Sequence, residues 1–357
     1  MVGMRDVAKK AGVSLSTVSL VVNGNGYVSD DMRERVRKAM QALNYVPNEL
    51  ARNLYHDCTN LVGVIVPTIR HPFFATFTAH LQHALAAQGL RTMLCSTADE
   101  ADGEIQYVDM LRRHMMDGIV MSHPGDYWTS IHRPIVAFDR VLGDGISSIG
   151  SDHEQGGRLI AQMLIRNGAK HVVMIGGPRD QFFDLAARGE VEEGPFDLGK
   201  TTFPTVRYYL TLEQELTSAG VKYEYVEAGE VMDFAGYHRA VSNALDKVTT
   251  DGVDAVVSSD IGASFCVREA LGRGISIPDE LQIVAYDGTY LTDLAGMKLT
   301  AVAQDFSAIA QSAADHIVQA IANEEVAAAN ASRKNIPKPF EPNVLIPMTL
   351  VPGDTTR

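Results

Sequence analysis

A chain of 357 residues, 46% of them hydrophobic, is long enough for more than one domain with its own core. No run approaches the roughly eighteen apolar residues of a membrane span, Leu61–Pro67 being far too short, and no apolar signal region opens the chain, so no membrane partner is expected and the cytoplasm is the expected location. The net charge of −13 argues against a nucleic-acid partner until it is divided: residues 1–56 carry eight Lys or Arg against five acids, a local +3, which leaves −16 to the rest.

A small basic head on an acidic body implies that one end faces phosphate. Met4–Asn23 reads as two short helices around a turn at Gly12. Val7, Ala8 and Ala11 make one apolar face of the first helix, and Gly12 supplies the backbone freedom of a sharp turn. Ser14 suits the N-cap of the second, in which Val18, Val21 and Val22 point inward. Ser16, Ser19, Leu20 and Asn23 fall on the opposite face, with Leu15 on the first turn. This is the layout of a helix-turn-helix that enters a major groove, although any three-helix miniature core shows the same spacing. A third helix starts at Ser29, another N-cap, and runs to about Leu43. Val36, Met40 and Leu43 close its core, while Arg33, Arg35 and Lys38 are available to phosphates.

The wording of the segment decides between these readings. Asp-Val-Ala-Lys-Lys-Ala-Gly-Val-Ser-Leu-Ser-Thr-Val-Ser, then Val-Val-Asn-Gly and Tyr45-Val-Pro-Asn48, closely resembles the headpiece of the lac-repressor (LacI/GalR) family of bacterial transcription regulators. The resemblance implies DNA contacts from Arg5, Ser14, Leu15, Ser16, Thr17, Ser19, Leu20, Asn23, Ser29 and Arg33. It also implies a hinge helix over 48–58. There Asn48 would face DNA, Ala51 would be the small residue that lets two hinges touch, and Leu54 the wedge in the minor groove. At the Leu20 position the family usually carries arginine. The head's modest charge argues for a homodimer on a two-part operator.

From Leu61 short apolar strands alternate with amphipathic helices. Strands are expected at Leu61–Val66, Arg91–Cys95, Gly118–Met121, Ile135–Phe138, Val172–Ile175, Tyr223–Glu227, Ala255–Ser258 and Gln282–Tyr286. Helices are expected at Phe74–Gln88, Glu104–His114, Gln155–Asn167, Tyr208–Ala219, Gly236–Asp246, Gly262–Arg273 and Ser307–Asn323. The expected fold class is therefore a small all-α helix-turn-helix headpiece plus an α/β core of two subdomains with doubly wound parallel sheets, periplasmic-binding-protein-like by the resemblance. The expected domains are 1–47 (headpiece), 48–58 (hinge) and 59–357 (core). Within the core, about 59–151 and 305–325 form the first subdomain, and about 152–304 and 340–357 the second. Crossings are expected near Ser151, near Ala303 and before the final strands. Arg179–Thr205, rich in Gly, Pro and acids, is either a feature of the cleft mouth or a surface insert.

No nucleotide fingerprint, phosphate loop or His-Glu-x-x-His motif is present, so no enzyme, cofactor or metal is expected. Cys58, Cys95 and Cys266 lack metal-ligand spacing, and His71, His114, His123 and His132 read singly as surface or structural residues. Asp139 and Asp287 end the strands Ile-Val-Ala-Phe-Asp and Ile-Val-Ala-Tyr-Asp, matching family positions that accept hydrogen bonds from an effector. A pair of acceptor-only carboxylates suits a polyol. Ser122 and Ser259 stand where sugar-binding members often have asparagine. Phe73 or Phe74 would cap a ring, and Val231 replaces a stacking aromatic. Arg207 resembles the family's bidentate ligand arginine, although it is Tyr208, one residue on, that stands in register. The expectation is a homodimeric repressor of a carbohydrate-use operon, binding double-stranded operator DNA and a small-molecule effector, a sugar. Its rivals are a global catabolite regulator answering to a protein partner, a regulator of a non-sugar metabolite, and a sugar-binding or enzymatic protein with a vestigial head.

Overall fold

The structure, a computed structural model, describes residues 2–24, 26–46, 58–97, 103–121, 133–142, 146–184, 201–229, 234–329 and 343–357. The hinge residues Asn48, Ala51 and Leu54, and also Ser122, His123, His132 and Val231, lie outside the described residues. The chain folds as two units, Met1–Thr59 and Asn60–Arg357.

In the first unit α1 (Met4–Ala11), α2 (Leu15–Asn23) and α3 (Asp30–Ala42) close on fully buried Val7, Val18 and Val36. Val21, Val22, Met40 and Leu43 pack half-buried around them. Gly12 turns the chain at φ +65°, a left-handed conformation that a side chain resists. Ser14 and Ser29 cap α2 and α3 by accepting from the backbone N–H of Thr17 and Met32. Arg35 departs from its expected role. Its Nε and Nη2 donate to the Ala11 carbonyl at 3.1 and 2.7 Å, and Nη2 also donates to the Gly12 carbonyl at 2.9 Å. The guanidinium thus serves orphan acceptors at the end of α1 rather than phosphate.

The second unit holds two six-stranded sheets. The first has the order β11-β5-β4-β3-β1-β2, built from β1 (Leu61–Val66), β2 (Arg91–Ser96), β3 (Gly118–Met121), β4 (Ile135–Phe138), β5 (Ser147–Ser151) and β11 (Asn343–Ile346), all parallel. The second has the order β12-β10-β9-β8-β6-β7, built from β6 (His171–Gly176), β7 (Lys222–Glu227), β8 (Ala255–Ser259), β9 (Gln282–Asp287), β10 (Thr300–Ala303) and β12 (Thr349–Val351), antiparallel only at β12. Helices cover both faces of each sheet, as parallel strands with runs such as Val-Gly-Val-Ile-Val require. In β1, Val62, Val64 and Val66 face a core shared with Phe77 and Ile317, while Ile65 faces Leu111 and Met116. The second sheet packs Val173 and Val256 against Cys266 and Val267 on one face, and Met174 and Val257 against Ile160 and Leu212 on the other.

All eight expected strands form. Besides these and the final strands β11 and β12, two more form that the sequence does not mark, β5 and β10, and β5 (Ser-Ser-Ile-Gly-Ser) lacks an apolar run. Its serines are nonetheless buried, because Ser148 Oγ donates to the Arg140 carbonyl and Ser151 Oγ to Gln304 Oε1, both at 2.6 Å. The chain crosses between lobes after Ser151 and after Ala303. The third crossing falls between β11 and β12, at Pro347 and Met348. Residues 343–346 therefore belong with the first sheet, whereas the sequence reading had placed 340–357 wholly in the second subdomain. A strand of alternating half-burial, Asn-Val-Leu-Ile, suits an edge of either sheet, so the sequence could not choose. After α4 (Pro72–Ala87) and α5 (Gly103–Arg112), helices α6 (His153–Arg166) and α7 (Thr205–Ser218) meet at Gly157, where a Cβ would lie 2.8 Å from the Tyr208 carbonyl oxygen. Among the described residues no helix is long and apolar enough to cross a membrane.

Candidate functional site

Each sheet reverses its winding beside its first strand, between β1 and β3 and between β6 and β8. Ligands of open α/β sheets bind beyond the strand carboxyl ends at such points. A cavity of about 110 Å3 lies there, lined from the first lobe by His71, Phe73, Phe74, Asp139 and Arg140, and from the second by Met174–Gly177, Tyr208, Tyr209, Tyr237, Ser259, Tyr286 and Asp287. Gln181, Phe203 and Thr205 also line it. The described ends of the Arg179–Thr205 segment thus bear on the cavity, while 185–200 lie outside the described residues.

Local chemistry explains how these groups are aimed. His71 caps the helix Pro72–Ala87, its Nδ1 accepting from Phe73 N at 3.3 Å, and this fixes Phe73 and Phe74 over the cavity. Ser259 caps the helix Asp260–Gly272 and donates to the Tyr237 hydroxyl at 3.2 Å. Tyr208 stacks on Tyr286 with ring centroids 3.8 Å apart. Asp139 and Asp287 terminate β4 and β9 with φ of +49° and +117°, where non-glycine residues are rare and strained. Strain of this kind is held by its surroundings and concentrates at functional positions.

Two hydrogen-bond chains run through the crossings. Asp139 Oδ1 lies 2.7 Å from His153 Nε2, whose Nδ1 lies 2.6 Å from the Tyr286 hydroxyl. Gln304 Nε2 donates to Asp287 Oδ1 at 2.8 Å, while Gln304 Oε1 accepts from Ser151. The two aspartates are pushed in opposite directions. Burial disfavours the Asp139 charge, but the His153 charge and hydrogen bond, with Arg140, outweigh it and hold Asp139 below the usual carboxylate range. Burial, followed by the charges of Asp260 and Asp139, holds Asp287 well above that range despite the bond from Gln304. Asp260 itself is pushed by burial to about 6, although it accepts from the backbone of Gly288 and Thr289. Burial and its neighbours thus favour the protonated form of Asp287, in which a carboxyl can donate as well as accept, whereas Asp139 is favoured as an acceptor only.

Of the residues expected at an effector, Phe73, Phe74, Asp139, Ser259 and Asp287 come together here. Arg207 does not. It is half-buried on α7 and absent from the cavity lining, because one residue turns the helix by about 100° and presents Tyr208 instead. His71, expected to be surface or structural, is a buried cap at the cavity wall. Sequence reasoning missed Arg140 and, apart from Tyr208, the tyrosines. Arg140 adjoins Asp139 and could have been found from that adjacency; the tyrosines read as helix and strand core.

Burial lowers the His71 pKa to about 4, so the folded protein keeps this ring neutral. Its contribution to stability is present in full above the unfolded value of about 6.5 and is lost as pH falls toward 4, a loss of about 3 kcal/mol. Asp260 works in the opposite direction over part of this range, so a difference measurement is needed. The His71→Asn variant keeps a capping acceptor without the titration. The urea-unfolding free energy of wild type minus that of the variant should fall by about 3 kcal/mol between pH 6.5 and 4. A flat difference would show that His71 titrates alike folded and unfolded.

On the head, Leu15 and Leu20 are 44% and 38% exposed, and Ser16 is exposed beside them. Exposed Arg5, with Gly3, Met4 and Asp6, lines one concave surface together with Leu15, Ser16 and Ser19. Asn23 Nδ2 donates to Ser19 Oγ at 3.2 Å. The hydroxyls of Ser14 and Thr17 lie 2.8 Å apart in the cap of α2, and Ser29 caps α3, so these three hold helix ends. Arg33 is half-buried on α3.

A helix-turn-helix head joined to a two-lobed α/β core that closes on a small cavity defines a ligand-responsive DNA-binding regulator. Residues 3–48 match the model of bacterial regulatory proteins of the lacI family. Residues 59–190 match periplasmic binding proteins and the sugar-binding domain of the LacI family, and residues 161–356 a periplasmic-binding-protein-like domain. The sucrose operon repressor of Streptococcus mutans is 30% identical over 325 residues, covering 90% of this chain and 93% of its own. The ribose operon repressor of Halalkalibacterium halodurans is 31% identical over 309 residues, 85% of this chain and 86% of its own. In fold, the lac repressor dimer bound to operator and the anti-inducer ONPF matches with a TM-score of 0.76 at 23% identity over 99% of both chains. The CelR–cellobiose complex matches with a TM-score of 0.66, also at 23% identity, over 99% of this chain and 100% of its own. The chain belongs to the LacI family of bacterial regulatory proteins. Membership makes it a DNA-binding transcriptional regulator rather than an enzyme.

Proposed function

We propose that the protein is a homodimeric repressor of a carbohydrate-use operon whose operator affinity is set by a sugar in the inter-lobe cavity. The observation that carries this reading is the pair of strained strand-end aspartates, Asp139 and Asp287, facing one aromatic-walled cavity from opposite lobes. Aromatic faces and a few fixed polar groups are the usual means of holding a sugar ring. In this reading 1–47 read DNA, with Arg5, Leu15, Ser16, Ser19, Leu20 and Asn23 toward the groove; 48–58 link; and 59–357 sense the effector. Named relatives that repress sucrose and ribose operons support the sugar class and a cytoplasmic site of action. A ligand binding one lobe pose better than the other would shift the population and with it operator affinity, as an inducer or as a co-repressor.

The test is footprinting on the promoter DNA of its own gene and its neighbours, with and without a panel of small sugars. A protected near-palindromic site whose affinity changes with at least one sugar is expected. Protection that no sugar alters would remove the effector from the reading and favour control by a protein partner.

A further inference from the structure

The guanidinium at the cavity wall comes from the first lobe, not from Arg207. Arg140 is 8% exposed, and its Cζ sits 3.9 Å from the Phe203 ring centroid. Nη1 donates to the Asp139 backbone carbonyl at 2.7 Å, and Nε has no hydrogen-bond partner among the described residues. Neither nearby carboxylate pairs with it. Asp139 Oδ1 is engaged by His153, and both oxygens of Asp184 accept from Thr202, from its N at 2.8 Å and its Oγ1 at 2.6 Å. Among the described residues Arg140 forms no ion pair, although it is buried and always charged. The charges of Asp139 and Asp184 favour its charged form, but neither lies within ion-pair distance, and a buried cation lacking a direct partner remains costly. Its position is nevertheless well fixed: Ser148 Oγ bonds its carbonyl, and Val141 N donates to the Thr202 carbonyl at 3.1 Å. Across the cavity stand the Tyr208 and Tyr286 rings and Asp287, whose charged form is disfavoured by burial and by its carboxylate neighbours, so the second lobe's lining opposes an anion little.

We propose that the cavity takes a carbohydrate bearing an acidic group, carboxylate or phosphate, and that Arg140 is the residue that selects it. A planar guanidinium grips either group in a fork geometry that a neutral hydroxyl matches less well. The proposal rests on the effector reading above and narrows its ligand class.

The experiment titrates the full-length protein on its operator with D-glucuronate, D-galacturonate, glucose 6-phosphate, D-glucose and D-galactose, and follows melting temperature in parallel. At least one acidic sugar should change operator affinity and raise the melting temperature at concentrations at least tenfold below any neutral sugar. The uronates and the phosphate tell which acid is taken. Arg140→Gln should lose that response at least tenfold while binding operator as wild type does, and Arg140→Lys should retain part of it. A response to neutral sugars only, or one that Arg140→Gln leaves intact, overturns the proposal and leaves the sugar-effector reading standing. Silence from all five compounds with operator binding intact overturns the acidic class together with its basis.

Discussion

The Leu20→Arg variant should select a different operator from the wild-type protein. In α2, Val18 is fully buried while Leu20 and Leu15 are the exposed large side chains, which places them on the face opposite the core. Leu20 leans on the backbone of Gly26, where an added Cβ would come within 3.2 Å of its Cδ2. A leucine can touch only apolar groups in a major groove, and the thymine methyl is the natural one. Arginine at this position makes a bidentate pair with guanine worth about 1–3 kcal/mol of discrimination. Wild type should therefore prefer A·T at one symmetric step of each half-site, and the variant G·C. Arg5, Lys9 and Lys10 carry no base information through phosphates, so overall affinity should change less than preference. Parallel selections from a randomised operator library make the comparison. Identical consensus sequences would mean that Leu20 does not face the groove.

Removing the Asp287 side chain should silence the effector while sparing DNA binding. The carboxyl sits at the cavity and is tied through Gln304 to Ser151, so it touches both the ligand space and two crossings. Asp287→Ala deletes its hydrogen bonds and leaves Gln304 Nε2 unpaired, a loss of about 1–3 kcal/mol. For whichever sugar moves wild-type operator affinity, the half-maximal concentration should rise by about one to two orders of magnitude. Asp287→Asn is the sharper comparison. Because the surroundings favour the protonated carboxyl, an amide reproduces its acceptor toward Gln304 and its donor toward the ligand, and asparagine tolerates positive φ. The Asn variant should keep most of the response that the Ala variant loses. Equal loss in both would mean that Asp287 works as an anion. Anisotropy with labelled operator reads both.

How far the sequence carried these conclusions depends on what kind of signal each part left. Apolar runs bounded by turn residues marked the inner strands β1, β3, β4, β6, β8 and β9, because a strand buried on both faces has little choice of composition. The part-exposed edge strands β2 and β7 carry polar residues among their apolar ones. β5 left no such mark, since its burial rests on hydroxyls whose partners, Arg140 and Gln304, are remote in sequence or conformation. Asp139, Asp287, Ser259 and the Phe73–Phe74 pair were legible because strand ends and helix starts are fixed points of an α/β chain. The aromatic wall was not. Tyr208, Tyr237 and Tyr286 come from three separate elements, and nothing in a linear pattern distinguishes a tyrosine facing a cavity from one completing a core. The Arg207 reading failed for a geometric reason: a single residue of misregister on a helix moves a side chain to another face. The opposite shifts of Asp139 and Asp287 were invisible for the same reason, as they depend on His153, Asp260 and depth of burial.

The third crossing restricts how the lobes can move. A body tied at one point can swing in any direction, and one tied at two points still turns freely about the line joining them. Here Pro347 and Met348 add a third tie only two residues long, between strands locked into different sheets. This tie is itself anchored, since Met348 N donates to Gln155 Oε1 at 2.7 Å and the Tyr286 hydroxyl lies 3.3 Å from its sulfur. Wide gaping of the cavity would have to stretch or unzip β12. Small torsion, absorbed in the backbone of the three linkers, is the motion that leaves every strand paired. The same Tyr286 hydroxyl reaches His153, the first residue of α6 directly after the first linker, so a ligand that displaces this ring acts beside two of the three ties at once.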